Sequence, residues 1–290
     1  MRIDLHIHST ASDGTLTPQE IIAHARNLGL AAIAITDHDT MDGVQQALPV
    51  VPETIHFLTG VELSTAAPAK FPCQGSLHLL GYGLRPDDPD LVRQLRKLQA
   101  ARRDRNPQII ARLQALGIDI SVHELNGPGD QQTGRPHIAR LLVEKGVVSS
   151  FDEAFDHFIG SGRPAYVDKH RIDVCEAIQL IRGAGGIAVL AHPALIVPRR
   201  PWALEDLLRD LTSCGLEGLE VFYPEHTASQ TRRFEALARR HGLVVTGGTD
   251  FHGAIKPTVE MGSADGRFRV PFEIYETIAA RLQKRDRSTL

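Results

Sequence analysis

The sequence predicts an α/β fold: an irregular barrel of seven strands alternating with helices, interrupted by a mostly helical insertion. Three observations predict it. Strand and helix patterns succeed one another along most of the chain, polar residues collect where strand after strand finishes, and the block from 86 to 170 breaks the alternation with no Ser/Gly-rich linker beside it. Sequential right-handed strand–helix units either wind doubly or close into a barrel. A doubly wound sheet gathers its site at one or two switch points, whereas a barrel draws on many strand ends together, as this chain does. Residues 1–85 and 171–290 are therefore assigned to the barrel and 86–170 to the insertion.

Taken in order, Arg2 to His8 alternates as a strand does, with Ile3, Leu5 and Ile7 on one face and Asp4, His6 and His8 on the other. Thr17-Pro18-Gln19-Glu20 reads as an N-cap, a first-turn proline and an acidic start for a helix that stops at Gly29. Ala31 to Thr36 is a wholly apolar strand of the kind covered on both sides. A helix over Met41 to Ala47 leads to a strand over Ile55 to Val61, which is followed by Glu62. A loop from Ala66 to Gly75 precedes the strand Leu77 to Tyr82, which carries His78. Asp90 to Leu116 reads as a charged, solvated helical hairpin, and helices start at Gly134 and cover Ser150 to Ile159. Alternation resumes with a helix over Val174 to Ala184 and the strand Ile187 to Ala191, which ends at His192-Pro193. A helix at Leu204 to Leu211, the strand Leu219 to Phe222 and a helix over Ala228 to Arg240 follow. The strand Leu243 to Gly248 ends at Asp250-Phe251-His252, and an amphipathic helix over Pro271 to Leu282 closes the chain.

Bulk properties bound the rest. A chain of 290 residues with 42% hydrophobic residues can bury a large core, and a net charge of -3 excludes coating of nucleic acid or membrane by bulk charge. Three widely separated cysteines, Cys73, Cys175 and Cys214, argue against a disulfide framework and for a reducing compartment. There is neither a leader-like apolar run at the start nor an apolar run of about 20 residues, so a cytoplasmic protein is expected.

The chemistry is carried by His6, His8, Asp13, His38, Glu62, His78, His192, Asp250 and His252. Singly, each has an ordinary explanation as a strand or turn residue. Together, six imidazoles and three carboxylates on separate strand ends of one barrel would be unfavourable to crowd without cations between them. Imidazole with carboxylate suits Zn, Mn or Fe(II) rather than Ca or Mg, and the number of donors calls for two or three ions.

His6-x-His8, Thr36-Asp37-His38, Glu62, His78, Ala191-His192-Pro193 and Asp250-Phe251-His252, in this order, resemble the PHP (polymerase and histidinol phosphatase) family of metal-dependent phosphoesterases. The resemblance implies a distorted (β/α)7 TIM-like barrel. It implies one metal on His6, His8, Glu62 and Asp250, a second sharing Glu62 with His78 and His192, and a third on Asp13, His38 and His252. Gly134-Arg135-Pro136-His137 and Lys169-His170-Arg171 further resemble the branch that includes 3′,5′-nucleotide bisphosphatases and 5′-to-3′ exoribonucleases. The expected reaction is hydrolysis of a phosphate ester by a hydroxide held between metals, with manganese the expected ion. Glu62, Asp250, His192 and His170 are the expected catalytic groups. A metal-bound water, His170 or His137 would protonate the leaving group.

Arg135 at a helix start and the cluster Lys169, His170 and Arg171 suggest a second anion site away from the metals, with His137 and Ser12 as further substrate contacts. Each charge alone reads more readily as a solvated surface residue. Tyr166, Trp202 and Tyr223 are candidates for stacking on a base. The expected partner is a small nucleotide or a short RNA 5′ end, bound by a monomer with no membrane attachment. Rival readings are a histidinol-phosphate type phosphomonoesterase, a metal-stabilised binding module without activity, and a carbon–nitrogen hydrolase. No strand-end lysine supports the last of these.

Overall fold

The computed structural model describes residues 1–74, 77–125, 133–264, 266 and 268–288. Gly75, read as part of a loop, lies outside them. The elements are β1 (Arg2–Ile7), α1 (Pro18–Asn27), β2 (Leu30–Ile35), α2 (Asp42–Ala47), β3 (His56–Ala66), β4 (Leu77–Tyr82) and α3 (Pro89–Ala115). After these come α4 (Arg135–Glu144), α5 (Phe151–Ala154), β5 (Ile172–Asp173), α6 (Val174–Gly183), β6 (Ile187–Leu190) and α7 (Leu204–Ser213). The chain ends with β7 (Gly218–Phe222), α8 (Ala228–Arg240), β8 (Val244–Gly247), β9 (Val270–Pro271) and α9 (Phe272–Ser288).

The start and stop signals of α1 act as the sequence predicts. Thr17 accepts from the Glu20 N–H, Glu20 accepts from the Thr17 N–H, and Gly29 takes a φ of +64° just past the end. Strand β2 is apolar because both its faces are covered: Ala32 and Ala34 join one hydrophobic cluster, Ile33 and Ile35 another. Residues of β6 divide in the same alternating way.

The sheet runs β8-β7-β6-β4-β3-β2-β1-β9, and β5 pairs with β3. Closure is nearly complete. Phe251, just beyond β8, bonds to β1 through His8 N–H to its carbonyl (2.9 Å) and its own N–H to the His6 carbonyl (3.2 Å). Gly248 permits the approach, because a Cβ there would stand 2.3 Å from the His6 nitrogen.

Strand β4 departs from a regular barrel. It pairs antiparallel with both β3 and β6, while β1–β2–β3 and β6–β7–β8 are parallel runs. The polar rim therefore forms from the carboxyl ends of the parallel strands and from the amino end of β4. That is why His78, the second residue of β4, faces the rim across from Ser64. Glu62 is also displaced from its expected place: β3 continues to Ala66, so Glu62 lies within the strand, not beyond its end.

Two further expectations are corrected. Asp90 to Leu116 is not a hairpin but most of one 27-residue helix that runs through Pro107, and Arg102 and Arg105 on it are buried, not solvated. This helix spans two cores: Leu91, Leu95 and Leu98 belong to the main cluster, whereas Ile109, Ile110 and Leu113 pack with α4 and with residues near 160. Cys175 and Cys214, read as unpaired, form a disulfide between the start of α6 and the end of α7. Their 39-residue separation hid this, because α6 and α7 are neighbours around the barrel only once the strands between them are placed. Cys73 is free and buried. No helix of the described residues is long and apolar enough to cross a membrane.

Candidate metal centre

The nine expected ligand residues converge on one rim. Glu62 is the hub. Its Oε2 lies 3.5 Å from His6 Nε2, 3.2 Å from His8 Nε2 and 3.0 Å from His38 Nδ1. Its Oε1 lies 2.7 Å from His78 Nδ1 and 3.1 Å from His192 Nε2. Asp250 Oδ1 stands 3.3 Å from His6 Nε2 and 3.1 Å from His8 Nε2. Asp13 is 3.5 Å from both His8 and His252 and 3.7 Å from His38.

Donor atoms of His6, His8, Glu62 and Asp250 all lie within 4.8 Å of one another, as do those of His8, Asp13, His38 and His252, and those of His38, Glu62 and His78. The grouping is more interleaved than the resemblance implied, since His8 and His38 each reach two groups and His192 reaches Glu62 alone.

These donors fit a metal. His6 Nε2, His8 Nε2 and Asp13 Oδ1 are buried and make no hydrogen bond, although carboxylates or imidazoles stand within 3.5 Å of each. Bonds of about 2.1 Å to one ion place adjacent ligands about 3.0–3.4 Å apart, the spacing found around Glu62 and Asp250. Burial alone would cost several kcal/mol for such unsatisfied groups, on the order of 1–3 each.

A second ring of contacts orients the donors. Glu220, buried in β7, accepts from or faces His6 Nδ1 at 2.9 Å and accepts from the His192 N–H at 2.6 Å, which turns His6 Nε2 to the cluster. Asp37 accepts from Ser9 N–H, Ser9 Oγ and Ser12 Oγ, holding the turn that carries Asp13. Asp4 accepts from Thr249 N–H and Oγ1 and from Gly262 N–H, fixing the chain beside Asp250. Tyr223 Oη (3.0 Å) and Lys256 Nζ (2.6 Å) both donate to Asp250 Oδ2, leaving Oδ1 toward the histidines. Three non-glycine residues at the rim have left-handed backbones: Asp39 (φ 55°), His192 (φ 24°) and Asp250 (φ 53°). Each costs about 1–3 kcal/mol and persists because its neighbours hold it.

The electrostatics follow from crowding. Burial opposes charge on His8, yet the nearby carboxylates of Asp250 and Glu62 outweigh it and carry its pKa up to about 10. His6 is raised too, against burial, by Glu220, Asp250 and Glu62. For His38 burial prevails over Glu62 and Asp13, holding its pKa down to about 3. Glu62 is held well below the usual carboxylate range, against burial, by His38, His78 and His6. Lys256, His252 and His6 do the same for Asp250.

A cavity of about 1000 Å³ opens from this rim. Asp13, His38, Glu62, His78, His192, Asp250 and His252 form its floor; Pro136, Val143, Phe151, Phe155 and Phe268 contribute apolar wall.

The residues expected to contact substrate divide. Lys169 Nζ donates to Asp39 Oδ2 at 2.9 Å, next to Arg102, which binds the same carboxylate through Nε and Nη2. Arg135 is half-buried, its guanidinium 5.5 Å from the Phe155 ring and 5.6 Å from the Tyr166 ring. Arg171 pairs with Asp168 at 2.5 Å. His137 accepts from the Gly134 N–H through Nδ1 at 3.1 Å, so its Nε2 carries the proton when the ring is neutral. Ser12 is buried and committed to Asp37. His170 is exposed, and like Ser12, Arg135, His137, Lys169 and Arg171 it is absent from the lining of the cavity. Among the stacking candidates, Trp202 packs edge-on against Phe71 and donates to the Pro72 carbonyl, Tyr166 lies on Arg135, and Tyr223 lines the cavity.

Sequence reasoning named Asp4 and Asp37 without giving them a role and missed Glu220, although a lone acid inside an apolar strand or at its end was a usable signal. It missed Asp39, Arg102 and Arg105 for want of one: burial of a helical arginine depends on what packs against it.

Comparison with known proteins agrees with this geometry. The PHP domain model matches residues 4–173. The chain is 33% identical over 285 residues, 97% of both chains, to 3′,5′-nucleoside bisphosphate phosphatase of Chromobacterium violaceum. It is 33% identical over 252 residues to 5′-3′ exoribonuclease of Haemophilus influenzae, covering 87% of this chain and 90% of that one. A crystal structure from Bifidobacterium adolescentis, assigned as a metal-dependent phosphoesterase, superposes with a TM-score of 0.85 at 31% identity over 96% of both chains. The chain belongs to the PHP domain family, and it is a phosphoesterase with a cluster of histidines and carboxylates able to bind metal.

Proposed function

We propose that the chain removes the 3′-phosphate of nucleoside 3′,5′-bisphosphates and acts by the same chemistry on the 5′-phosphorylated end of short RNA. His6, His8, Glu62 and Asp250 would hold one divalent ion, Glu62 with His78 and His192 a second, and Asp13, His38 and His252 a third, with manganese the first choice. Such ions lower the pKa of water toward neutrality and offset the charge of a phosphoryl group. The protein's own groups do the positioning. Glu220 fixes the His6 tautomer, Tyr223 and Lys256 fix the face of Asp250, and Glu62 presents one oxygen to each side of the cluster.

The observation that carries the substrate reading is the cluster of basic side chains beside the rim. Arg135, Lys169 and Arg171 come together with Arg102 next to His38 and His78, where a second phosphate of the same nucleotide would lie. The helical segment 86–170 supplies Arg102, Arg135 and Lys169 of this cluster and, in the neighbouring cavity, the apolar wall of Phe151 and Phe155, against which a base can rest without sequence preference.

The test is release of phosphate by manganese-loaded protein from a nucleoside 3′,5′-bisphosphate, the matching 5′-monophosphate, and histidinol phosphate. Charged hydrogen bonds worth about 1.5–3 kcal/mol predict at least a tenfold preference for the bisphosphate. Equal rates on all three would remove the second anion from the reading.

A further inference from the structure

Among the described residues that line the cavity over the rim, Lys256 is the one lysine or arginine. The groups expected from the sequence to protonate a leaving group, His137 and His170, do not line it. Lys256 belongs to the segment that follows β8. This segment leaves the strand through Asp250 and His252 and turns at Gly253, where φ is +66°. The turn brings the lysine back to the rim. Its side chain is 34% exposed, and its Nζ stands 2.6 Å from Asp250 Oδ2.

An ordinary account would make this an ion pair that only steadies Asp250. Tyr223 already does that, because its hydroxyl donates to the same oxygen at 3.0 Å from a residue 3% exposed. An ammonium has three N–H donors, and the bond to Asp250 takes one of them. Glu225 on the cavity wall and Glu62 in its floor also act on the charge. Asp250 Oδ1 faces His6 and His8 at 3.3 and 3.1 Å, so Lys256 stands on one side of this carboxylate and the imidazole donors on the other. A divalent ion on Oδ1 would claim part of the negative charge that now compensates Lys256. The ammonium would then be left under-compensated on its cavity side.

We propose that Lys256 is a catalytic residue whose ammonium hydrogen-bonds a non-bridging oxygen of the phosphoryl group while that group passes to water. Negative charge is spread over those oxygens during transfer, and a donor already in place in a site shielded from water acts on it more strongly than water does. In the step, a water oxygen bonds to phosphorus as the ester P–O bond breaks, and the electron pair of that bond leaves with the ester oxygen. The proton given up by the water reaches the ester oxygen through solvent, so the products are an alcohol and inorganic phosphate. Lys256 keeps its own protons throughout. The inference rests on phosphate-ester hydrolysis at the rim and does not depend on a second phosphate in the substrate.

Lys256→Met keeps most of the stem and removes the charge, whereas Lys256→Arg keeps a cation. The substrates are a nucleoside 3′,5′-bisphosphate and p-nitrophenyl phosphate. The second carries no distal anion, which separates failure of this inference from failure of the nucleotide reading. In manganese-loaded Lys256→Met, kcat should fall on the order of 10² on both substrates, the usual consequence of losing one such donor, with KM changed less than about threefold. Lys256→Arg should keep about a tenth or more of the wild-type kcat. Manganese per chain by elemental analysis should match wild type in both variants, because Tyr223 still holds Asp250. Orthovanadate, which mimics the group in transfer, should bind metal-loaded Lys256→Met on the order of 10²-fold more weakly by calorimetry. Undiminished kcat, vanadate affinity equal to wild type, or Lys256→Arg as slow as Lys256→Met would each overturn the inference. Loss of manganese in step with activity would overturn it too, by showing that Lys256 acts only through Asp250.

Discussion

The histidine–carboxylate rim and the basic cluster beside it are both buried and both crowded with charge, yet they are built oppositely. In the rim each anion is shared among several imidazoles, and the groups left without a hydrogen bond are Nε2 of His6 and His8, which stand against oxygens of Glu62 and Asp250. In the basic cluster the surplus is of cations, with Arg102 and Lys169 dividing a single carboxylate, Asp39. Among the described residues the first region is short of cations and the second has more cations than anions. The comparison teaches that a phosphate ester spanning both would complete both: its reacting end beside bound metal, its distal end among guanidiniums.

The sharpest break is at Glu62. Glu62→Gln removes the oxygen charge that faces five histidines. Loss of several kcal/mol of metal-dependent stabilisation predicts a fall in kcat/KM on the order of 10³ or more, with fewer ions retained per chain by elemental analysis. The fold should survive, because the imidazoles freed of their partner can shed protons. Retention of both metal and activity would contradict the role of Glu62 as hub.

The same kind of substitution in the basic cluster should act on stability instead. Asp39→Asn removes the buried carboxylate that Arg102 and Lys169 share, and breaking such a network costs about 3–5 kcal/mol. Denaturant unfolding of the metal-free protein measures it. Added phosphate should recover part of the loss, since it supplies the missing anion. A variant as stable as wild type would show that water reaches these cations freely.

Next in size is Glu220. Glu220→Gln keeps a hydrogen bond but weakens the hold on His6 Nδ1 and on the His192 backbone, and supporting contacts of this kind are worth about 10–100-fold in metal affinity. Competition with a chelator reads the difference. Unchanged affinity would make Glu220 a partner of the fold alone.

How much of this was legible in the sequence follows the same division. A strand fixes the direction of each side chain by parity, so His6 and His8 could be placed on one face from their spacing alone, and the barrel brings strand ends together whatever the loops do. His78 was legible as a residue but not as a rim position, because nothing local marks β4 as antiparallel. Arg102 and Arg105 defeated the reading altogether. A helix carrying Arg93, Arg96, Lys97 and Arg103 on its exposed side looks solvated all round, and only the packing of Gly134 and the 166–171 segment against it buries two of the arginines. The Cys175–Cys214 pair was equally hidden, since adjacency of α6 and α7 is a property of closure.

The smallest effect expected is a pH dependence confined to the basic cluster. Burial and the neighbouring Arg102 bring the pKa of Lys169 down to about 7 from the ordinary 10.5, with Asp39 pulling the other way and Arg105 adding to the depression. Because the folded value is depressed, the charged ammonium destabilises the fold most fully below pH 7, and this penalty shrinks as pH rises from 7 toward 10.5. Affinity for a distal phosphate moves in the opposite sense, since the site loses a cation across that range while phosphate remains a dianion above its second pKa of about 6. Between pH 7 and 9, KM for the bisphosphate should therefore climb several-fold relative to KM for the 3′-monophosphate, whose hydrolysis uses the rim alone. Lys169→Arg, which keeps its charge throughout, should flatten the ratio. If the ratio were flat in wild type as well, Lys169 would lie outside the reach of the second phosphate, and the cluster would have to be read from Arg135 and Arg171 without it.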